Sequence, residues 1–536
     1  MFGAGRGPPK PQIRKVTVQH LVTPPPANTI RAANAENKRG NVNRRNGSNA
    51  TAGASRQNSA SNLHPSSASS AHKVSNVASR GASGKARSDS ARASPGRGKR
   101  KAPSPSTPNF GNASSDEDED GSNGARKRAR HSAEKDDDLK RVMCDEAAFR
   151  KRDPDKKEKD ARIIQGCDIT TGGVFAKGYK PVFDKEQGSE RIFEVKLRYP
   201  SRYGRERFQI LVPHADEDFN PLEDVIQTIS HTCKYFFPPS QSEALTDEAS
   251  GFERRLKRSV KELSFSKFAA TVGEFNSLID KSIADETISS HLRAQHSLAL
   301  PLVERILAQV YARTVSPHVH LLKAYENGTD DVYGELLPRF TQQIFKDVNL
   351  SSDQVFLDLG SGVGNVVLQA ALQIGCESWG VERMPNPAQL ADKQKKEFGP
   401  RCKNWGIKPG PVNLVTGDFL ATPKIDAVLR RADVILVNNQ AFTPRLNDDL
   451  TMKFLDVKEG CKIVSLKPFI TDDWKLKERN LQNPKNVLVH LAKKEYWSNS
   501  VSWTDEGGTY FIAKKDSTKV QQFHKRLEAR RRGSSD

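Results

Sequence analysis

Apolar and polar positions change rhythm along this chain, and each change predicts a different kind of element. From Arg191 to Tyr199 apolar and charged residues alternate, with Phe193, Val195, Leu197 and Tyr199 against Glu194, Lys196 and Arg198. That period of two is the mark of a half-buried strand. Pro200 to Gly204 reads as a turn, and Phe208, Ile210 and Val212 resume the alternation, so a hairpin is expected. The rhythm then lengthens to helical spacing. Val225, Ile226, Ile229 and Cys233 predict a helix from Leu222 to Phe237, stopped by Pro238 and Pro239. Amphipathic helices are also expected from Phe252 to Ile279 and from His291 to Ala312. The stretch 161–324 thus reads as a small cap of hairpin and helices.

From Asp353 onward short apolar runs alternate with helical segments. Strands are expected at Val355–Leu357, Ser378–Val381, Val412–Val415, Ala432–Val437 and Cys461–Leu466, with late strands at Asn486–Ala492 and Tyr510–Ala513. A helix is expected from Pro387 to Phe398. Repeated β-α-β units with short connections predict an α/β fold, a doubly wound, mostly parallel Rossmann-like sheet over residues 325–515. Ligands of such sheets bind beyond the carboxyl ends of the strands.

Composition changes the picture ahead of residue 160. Phe2, Phe110 and Phe149 are the only aromatics before residue 150, and Ser, Ala, Asn, Gly, Pro, Lys and Arg dominate. So little apolar surface does not offset the entropy of ordering a chain, so 1–160 is expected to be a disordered basic arm. It carries the basic clusters Gly98–Lys101 and Arg126–Arg130, with the acidic run Asp116–Asp120 between them. A second basic end closes the chain at 516–536, as a helix or a loose tail. The whole chain holds 85 Lys and Arg against 65 Asp and Glu, a formal charge of +20, which points to nucleic acid, chromatin or another anionic surface. No run of eighteen apolar residues occurs, so no membrane span is expected. The six cysteines are scattered without a C-x-x-C pair, which fits a reducing compartment and no metal cage.

The candidate chemistry sits in Val355–Val367, where an apolar run ends in an acid and glycines follow at 360, 362 and 364. A strand turning tightly into a helix binds nucleotide-like ligands. The spacing is one position out of register for a dinucleotide fingerprint, and Asp358 would repel a pyrophosphate. A ligand with a cationic end is favoured, and S-adenosylmethionine (SAM) has one. Glu382, after the second strand, is placed to accept both ribose hydroxyls; Asp418 and Phe419, after the third, can take the adenine amino group and its ring. The fourth strand ends in Asn438-Asn439-Gln440-Ala441-Phe442, an amide beside an aromatic that suits an amine acceptor.

These residues resemble a family. Asp358-Leu-Gly-Ser-Gly-Val-Gly-Asn365 is similar to the SAM motif of the non-SET histone H3 lysine methyltransferases of the disruptor-of-telomeric-silencing type. So are Val332-Tyr333-Gly334-Glu335, Val437-Asn438-Asn439-x-Ala441-Phe442, Ser465-x-Lys467-Pro468-Phe469 and Ser500-Val501-Ser502-Trp503-Thr504. Tyr311-x-Arg313-x-Val315 and the hairpin from Glu194 resemble its N-terminal part, and the basic arm its fungal members. The chain departs from the pattern in the Tyr325–Val332 loop, which lacks a Pro-Phe-Ser, at Gln440, and at Leu336. The resemblance implies a class I methyltransferase fold, with Tyr333, Gly334, Glu335 and Leu336 on a loop over the cofactor. It further implies that Phe356, Leu357, Asp358, Leu359, Gly360, Ser361, Gly362, Val363, Gly364, Asn365, Glu382, Asp418 and Phe419 hold SAM. Asn438, Phe442, Trp503 and Tyr510 are implied as walls of the acceptor-lysine channel. The implied activity is methylation of a lysine in the globular core of histone H3 on nucleosomes, by a nuclear monomer. Chromatin regulation, telomeric silencing and the DNA-damage response are its implied setting. The basic arm and tail would hold DNA phosphates, and other histone contacts are open. Two alternatives remain at this point: an amino-methyltransferase of nucleic acid, and an inactive chromatin-binding module of the same fold.

Overall fold

Seven short apolar runs pair into one sheet, and their order decides where the site lies. The protein is seen as a computed structural model that describes residues 138–151, 162–171, 178–183, 192–215, 219–323 and 330–533. The clusters at 98–101 and 126–130 and the acidic run at 116–120 lie outside these residues, as does most of the Tyr325–Val332 loop. Strands β1 (Tyr179–Pro181), β2 (Glu194–Arg198), β3 (Arg205–Gln209) and β4 (Leu211–Pro213) belong to the cap, where β2 pairs with β3 and β1 with β4. The large sheet is built from β5 (Val355–Leu359), β6 (Glu377–Glu382), β7 (Val412–Thr416), β8 (Val434–Val437), β9 (Lys462–Ser465), β10 (Leu488–Tyr496) and β11 (Gly508–Lys515).

Its order is β10-β11-β9-β8-β5-β6-β7. The pairs among β5 to β9 are parallel, and β11 enters antiparallel beside β9. In order of occurrence this is 6-7-5-4-1-2-3, the class I methyltransferase arrangement. The strand order reverses between β5 and β8, so a crevice opens beyond their carboxyl ends. All seven strands were expected from sequence, with ends within a few residues of those observed.

The cap differs from expectation in its helix boundaries. The segment expected as one helix from Phe252 to Ile279 is two, Phe252–Lys261 and Phe265–Ala284. They part at Leu263, whose φ of 51° no helix accommodates. The segment from His291 likewise divides into Thr287–Arg293 and Leu300–Thr314, with Pro301 at the start of the second. Asn220 caps Pro221–Tyr235 by accepting from the Glu223 N–H, as an N-cap should.

A larger correction concerns the arm. Residues 138–151, expected to be disordered, are packed against both cap and sheet. Met143, Cys144 and Ala148 are buried, and Asp145 N–H and Lys408 N–H donate to the Gly406 and Met143 carbonyls. Arg141 Nη2 donates to the Leu372 carbonyl at 2.9 Å, and Arg293 grips Glu146 at 2.8 and 2.9 Å. Few apolar residues suffice here because they fill grooves that other elements have already built.

Cap and sheet share one core, in which Ile226, Ile229 and Phe275 of the cap join Leu368, Phe398, Cys402 and Trp405 from the sheet's side. Through that core runs a buried ionic seam. Glu206 of β3 meets Arg313 Nη2 at 2.7 Å and Arg401 Nη1 at 2.5 Å, and Arg401 also meets Glu397 at 2.7 Å. Asp224 pairs with Arg313, and Tyr199 donates to Glu206 at 2.6 Å. The six cysteines are free and buried. No described helix is long and apolar enough to cross a membrane.

Candidate functional site

After β5 the chain turns through Gly360, Ser361, Gly362, Val363 and Gly364 into a helix at Asn365. The glycines take φ of +89°, +54° and +90°, a region closed to most side chains. Gly360 and Ser361 N–H both donate to the Val381 carbonyl at 3.0 Å, and Gly362 N–H donates to Glu382 Oε2 at 2.9 Å. The acid at the end of β6 therefore fixes the turn. Met384 N–H donates to its Oε1 at 2.7 Å, and each oxygen keeps acceptor capacity toward the cleft.

Two adjoining cavities meet at this turn and share Tyr333, Gly334, Gly360, Gly362 and Asn438. The larger is an open cleft with about 730 Å³ of empty space, part of it open to solvent, and is lined further by Glu382, Asp418, Phe419 and Phe442. The smaller has about 370 Å³ of empty space, part of it open to solvent, and is lined further by Glu335, Leu336, Asp358, Ser361, Val363 and Asn365. In the larger the Phe419 and Phe442 rings are tilted by 31° at 6.1 Å, with Asp418 also in its lining.

The smaller cavity is electrically unusual. Asp358 is 4% exposed, and no described residue donates a hydrogen bond to its carboxylate. Burial, with the nearby Glu382 charge, pushes its pKa up to about 8. Glu335 is also buried, and burial carries it to about 7 against the donors Tyr333, Tyr311 and Asn365. Glu382 rises as well, chiefly by burial. Asn438 completes the wall: Nδ2 donates to the Gly334 carbonyl at 3.4 Å, and Oδ1 is buried without a partner. Carboxyls short of a cation and a glycine cradle fit SAM, whose ammonium and sulfonium are positive.

A lid covers the cleft. Asp331 accepts from Arg383 Nε at 2.5 Å, and Asp330 accepts from Thr443 N–H and Oγ at 2.5 and 3.2 Å. On its other side Glu335 and Ser502 exchange backbone and side-chain bonds at 2.9 Å, and Leu336 bridges to Val501. Trp503 packs behind the lid, where a Cβ on Gly334 would come within 2.6 Å of its ring.

Several expected site residues sit elsewhere. Phe356, Leu357 and Leu359 are core residues of β5, at most 1% exposed, because a central parallel strand buries both faces. Gly364 shapes the turn without lining either cavity. Phe442 does line the larger cavity, together with Asn438 and beside Phe419. Tyr510 is buried on β11 against Phe340 at 5.2 Å, its hydroxyl bonded to Asp347 and Gln343. Trp503 supports the lid and lines neither cavity. Sequence reading missed the Asp330, Asp331 and Arg383 clamp, the wall residues Val366 and Leu436, and the part of Tyr311. The signals were present: Tyr311 belongs to a motif, and the acid pair marks the altered loop.

Residues 311–514 match the model of the family described as Histone methylation protein DOT1. The chain is 47% identical over 432 residues to an Aspergillus fumigatus protein named histone-lysine N-methyltransferase, H3 lysine-79 specific; the match covers 80% of this chain and 84% of that one. A protein of the same name from Emericella nidulans is 49% identical over 365 residues, covering 68% and 72%. A third, from Yarrowia lipolytica, is 38% identical over 347 residues, covering 64% and 70%.

Proposed function

This chain belongs to the DOT1 family of histone methylation proteins, and from that premise we propose that it methylates histone H3 at lysine-79, on nucleosomes, with SAM as donor. It is a histone-lysine N-methyltransferase of the class I fold. The observation that carries the reading is the smaller cavity: buried carboxyls without a cation beside the unpartnered Oδ1 of Asn438.

SAM supplies a sulfonium methyl that moves to nitrogen by direct displacement, so the protein's work is alignment and control of a proton. A lysine of pKa about 10.4 must become neutral, at roughly 4–5 kcal/mol near pH 7. Asn438 bears on that cost. Its amide is oriented by the Gly334 carbonyl, which leaves Oδ1 to accept from the incoming amine without offering it a negative charge. Asp358 and the turn hold the methionine end, and Glu382, Asp418, Phe419 and Phe442 the adenosine.

A flat nucleosomal target needs anchoring away from the site. The helix Thr518–Gly533 is exposed and ends in Arg530, Arg531 and Arg532. With the basic arm it is suited to DNA phosphates, and each phosphate neutralised adds about 0.9 to the salt slope. A nuclear monomer fits this reading. Because 138–151 belong to the folded part, removing residues 1–136 should lower nucleosome affinity and flatten its salt dependence while free-SAM affinity stays put. Unchanged affinity and slope would remove the arm from the account. Mass spectrometry of nucleosomes after incubation with the full chain and labelled SAM is expected to place methyl groups on H3 alone. Label in DNA would overturn the substrate.

A further inference from the structure

Resting on that reading, we propose that Glu335 is a positioning residue that couples closure of the lid to the positive charge of the cofactor, so that SAM binding expels a proton from the protein. Four segments meet at this one residue. Tyr311, from the helix Leu300–Thr314, donates to Oε1 at 3.1 Å, and Tyr333 of the lid donates to the same oxygen. Asn365, first residue of the helix behind the glycine turn, donates from Nδ2 to Oε2 at 2.9 Å. Ser502 holds the backbone of Glu335 on both sides, its Oγ accepting from N–H and its N–H donating to the carbonyl, each at 2.9 Å.

The direction of these bonds is fixed from outside the cluster. Gln394, on the helix Pro385–Asn404, donates from Nε2 to Asn365 Oδ1 at 2.8 Å and to the Val363 carbonyl at 2.7 Å. With its oxygen occupied, the Asn365 amide turns its N–H toward Glu335. Three donors converge on the carboxyl, an arrangement built for its ionised form, which accepts only. Yet the titratable groups that touch it among the described residues are Tyr311 and Tyr333, Asp358 of β5 lines the same cavity, and none is a cation. The cluster is complete in hydrogen bonds and incomplete in charge.

A cationic ligand in the smaller cavity supplies what is lacking. With the cavity empty, burial holds Glu335 at about 7, and part of the population carries a proton at neutral pH. A positive charge alongside lowers that value and sends the proton to solvent. The sign follows: affinity for SAM rises with pH and levels off only above the empty-site values of Glu335 and of Asp358 in the same cavity, about 7 and about 8, so the part due to Glu335 is the part that the Glu335→Gln variant loses. The demethylated product, S-adenosylhomocysteine, has lost the sulfonium and releases less of a proton, so it is held more weakly as pH rises relative to SAM.

Calorimetry of SAM binding to the full chain, in buffers of different ionisation enthalpy at pH 6.5–7.5, measures protons released. The wild type is expected to release a measurable fraction of a proton on binding SAM, and less on binding S-adenosylhomocysteine. Glu335→Gln keeps the shape without the charge. It should still bind, about tenfold more weakly at pH 8, with less proton release and a flatter pH profile. Tyr311→Phe leaves the acid with one donor fewer and should shift the profile to higher pH. Wild-type proton release and pH profile in both variants would overturn the inference. An absence of SAM binding in the wild type would instead strike at the function itself.

Discussion

Replacing Asn438 by alanine is expected to lower kcat for nucleosome methylation by about 10²–10³-fold while SAM affinity changes by no more than about threefold. The reason is the division of labour across the site. Asn438 lies at the end of β8 where the two cavities join, and its Oδ1 is the buried acceptor with nothing to accept. The cofactor is held by other groups, so its removal leaves binding almost intact. What is lost is the orientation of a neutral amine toward the methyl group, and with it the alignment on which a displacement depends. Asn438→Asp tests the charge argument. It keeps an acceptor in place but adds a negative charge that favours the ammonium form of the acceptor, and activity should fall at neutral pH and recover partly as pH rises. Single-turnover assays with nucleosomes, beside calorimetry with SAM, separate the two quantities. Full activity in the alanine variant would sink the assignment of Asn438.

What could be read from the sequence follows how locally each feature is specified. β5 to β11 were legible because each is a short apolar run bounded by turn residues, and the glycine turn because only glycine tolerates its φ values. Asp358, Glu382 and Asp418 were legible because strand ends in a doubly wound sheet face one crevice. The failures are of another kind. Within β5 the strand is buried on both faces, so no polar alternation tells Asp358, which faces the cavity, from Leu357 and Leu359, which do not. Phe442 and Tyr510 are both aromatics that follow strand residues, yet Phe442 lines the cavity and Tyr510 the core, a choice that depends on packing and that spacing does not encode. Glu335 meets Tyr311 and Asn365 across 24 and 30 positions, a meeting only the fold arranges. The strap at 138–151 was hidden for the opposite reason: its own composition is poor, and its partners supply the groove.

Glu206→Gln is expected to cost the folded state about 3–5 kcal/mol, a large loss for a change that keeps the shape of the side chain. Glu206 lies fully buried between Arg313 and Arg401, which approach from the helices Leu300–Thr314 and Pro385–Asn404. Removing its charge leaves two buried guanidinium groups facing each other, with Asp224 and Glu397 as their remaining carboxylates. The loss should divide cap from sheet, because the seam joins β3 to the helix that follows β6. Burial alone would raise the Glu206 carboxyl, yet the two arginines overcome it and hold the group at about 2. A depressed folded-state value contributes stability that is complete above the unfolded carboxyl's pKa of about 4.3 and is lost as pH falls toward 2. Denaturant unfolding at pH 7 should therefore show the full difference between wild type and variant, and the difference should shrink as pH drops from about 4.5 to 2. A gap that stayed constant over that range, or one below about 1 kcal/mol at pH 7, would mean that the seam is held by packing and not by its charges.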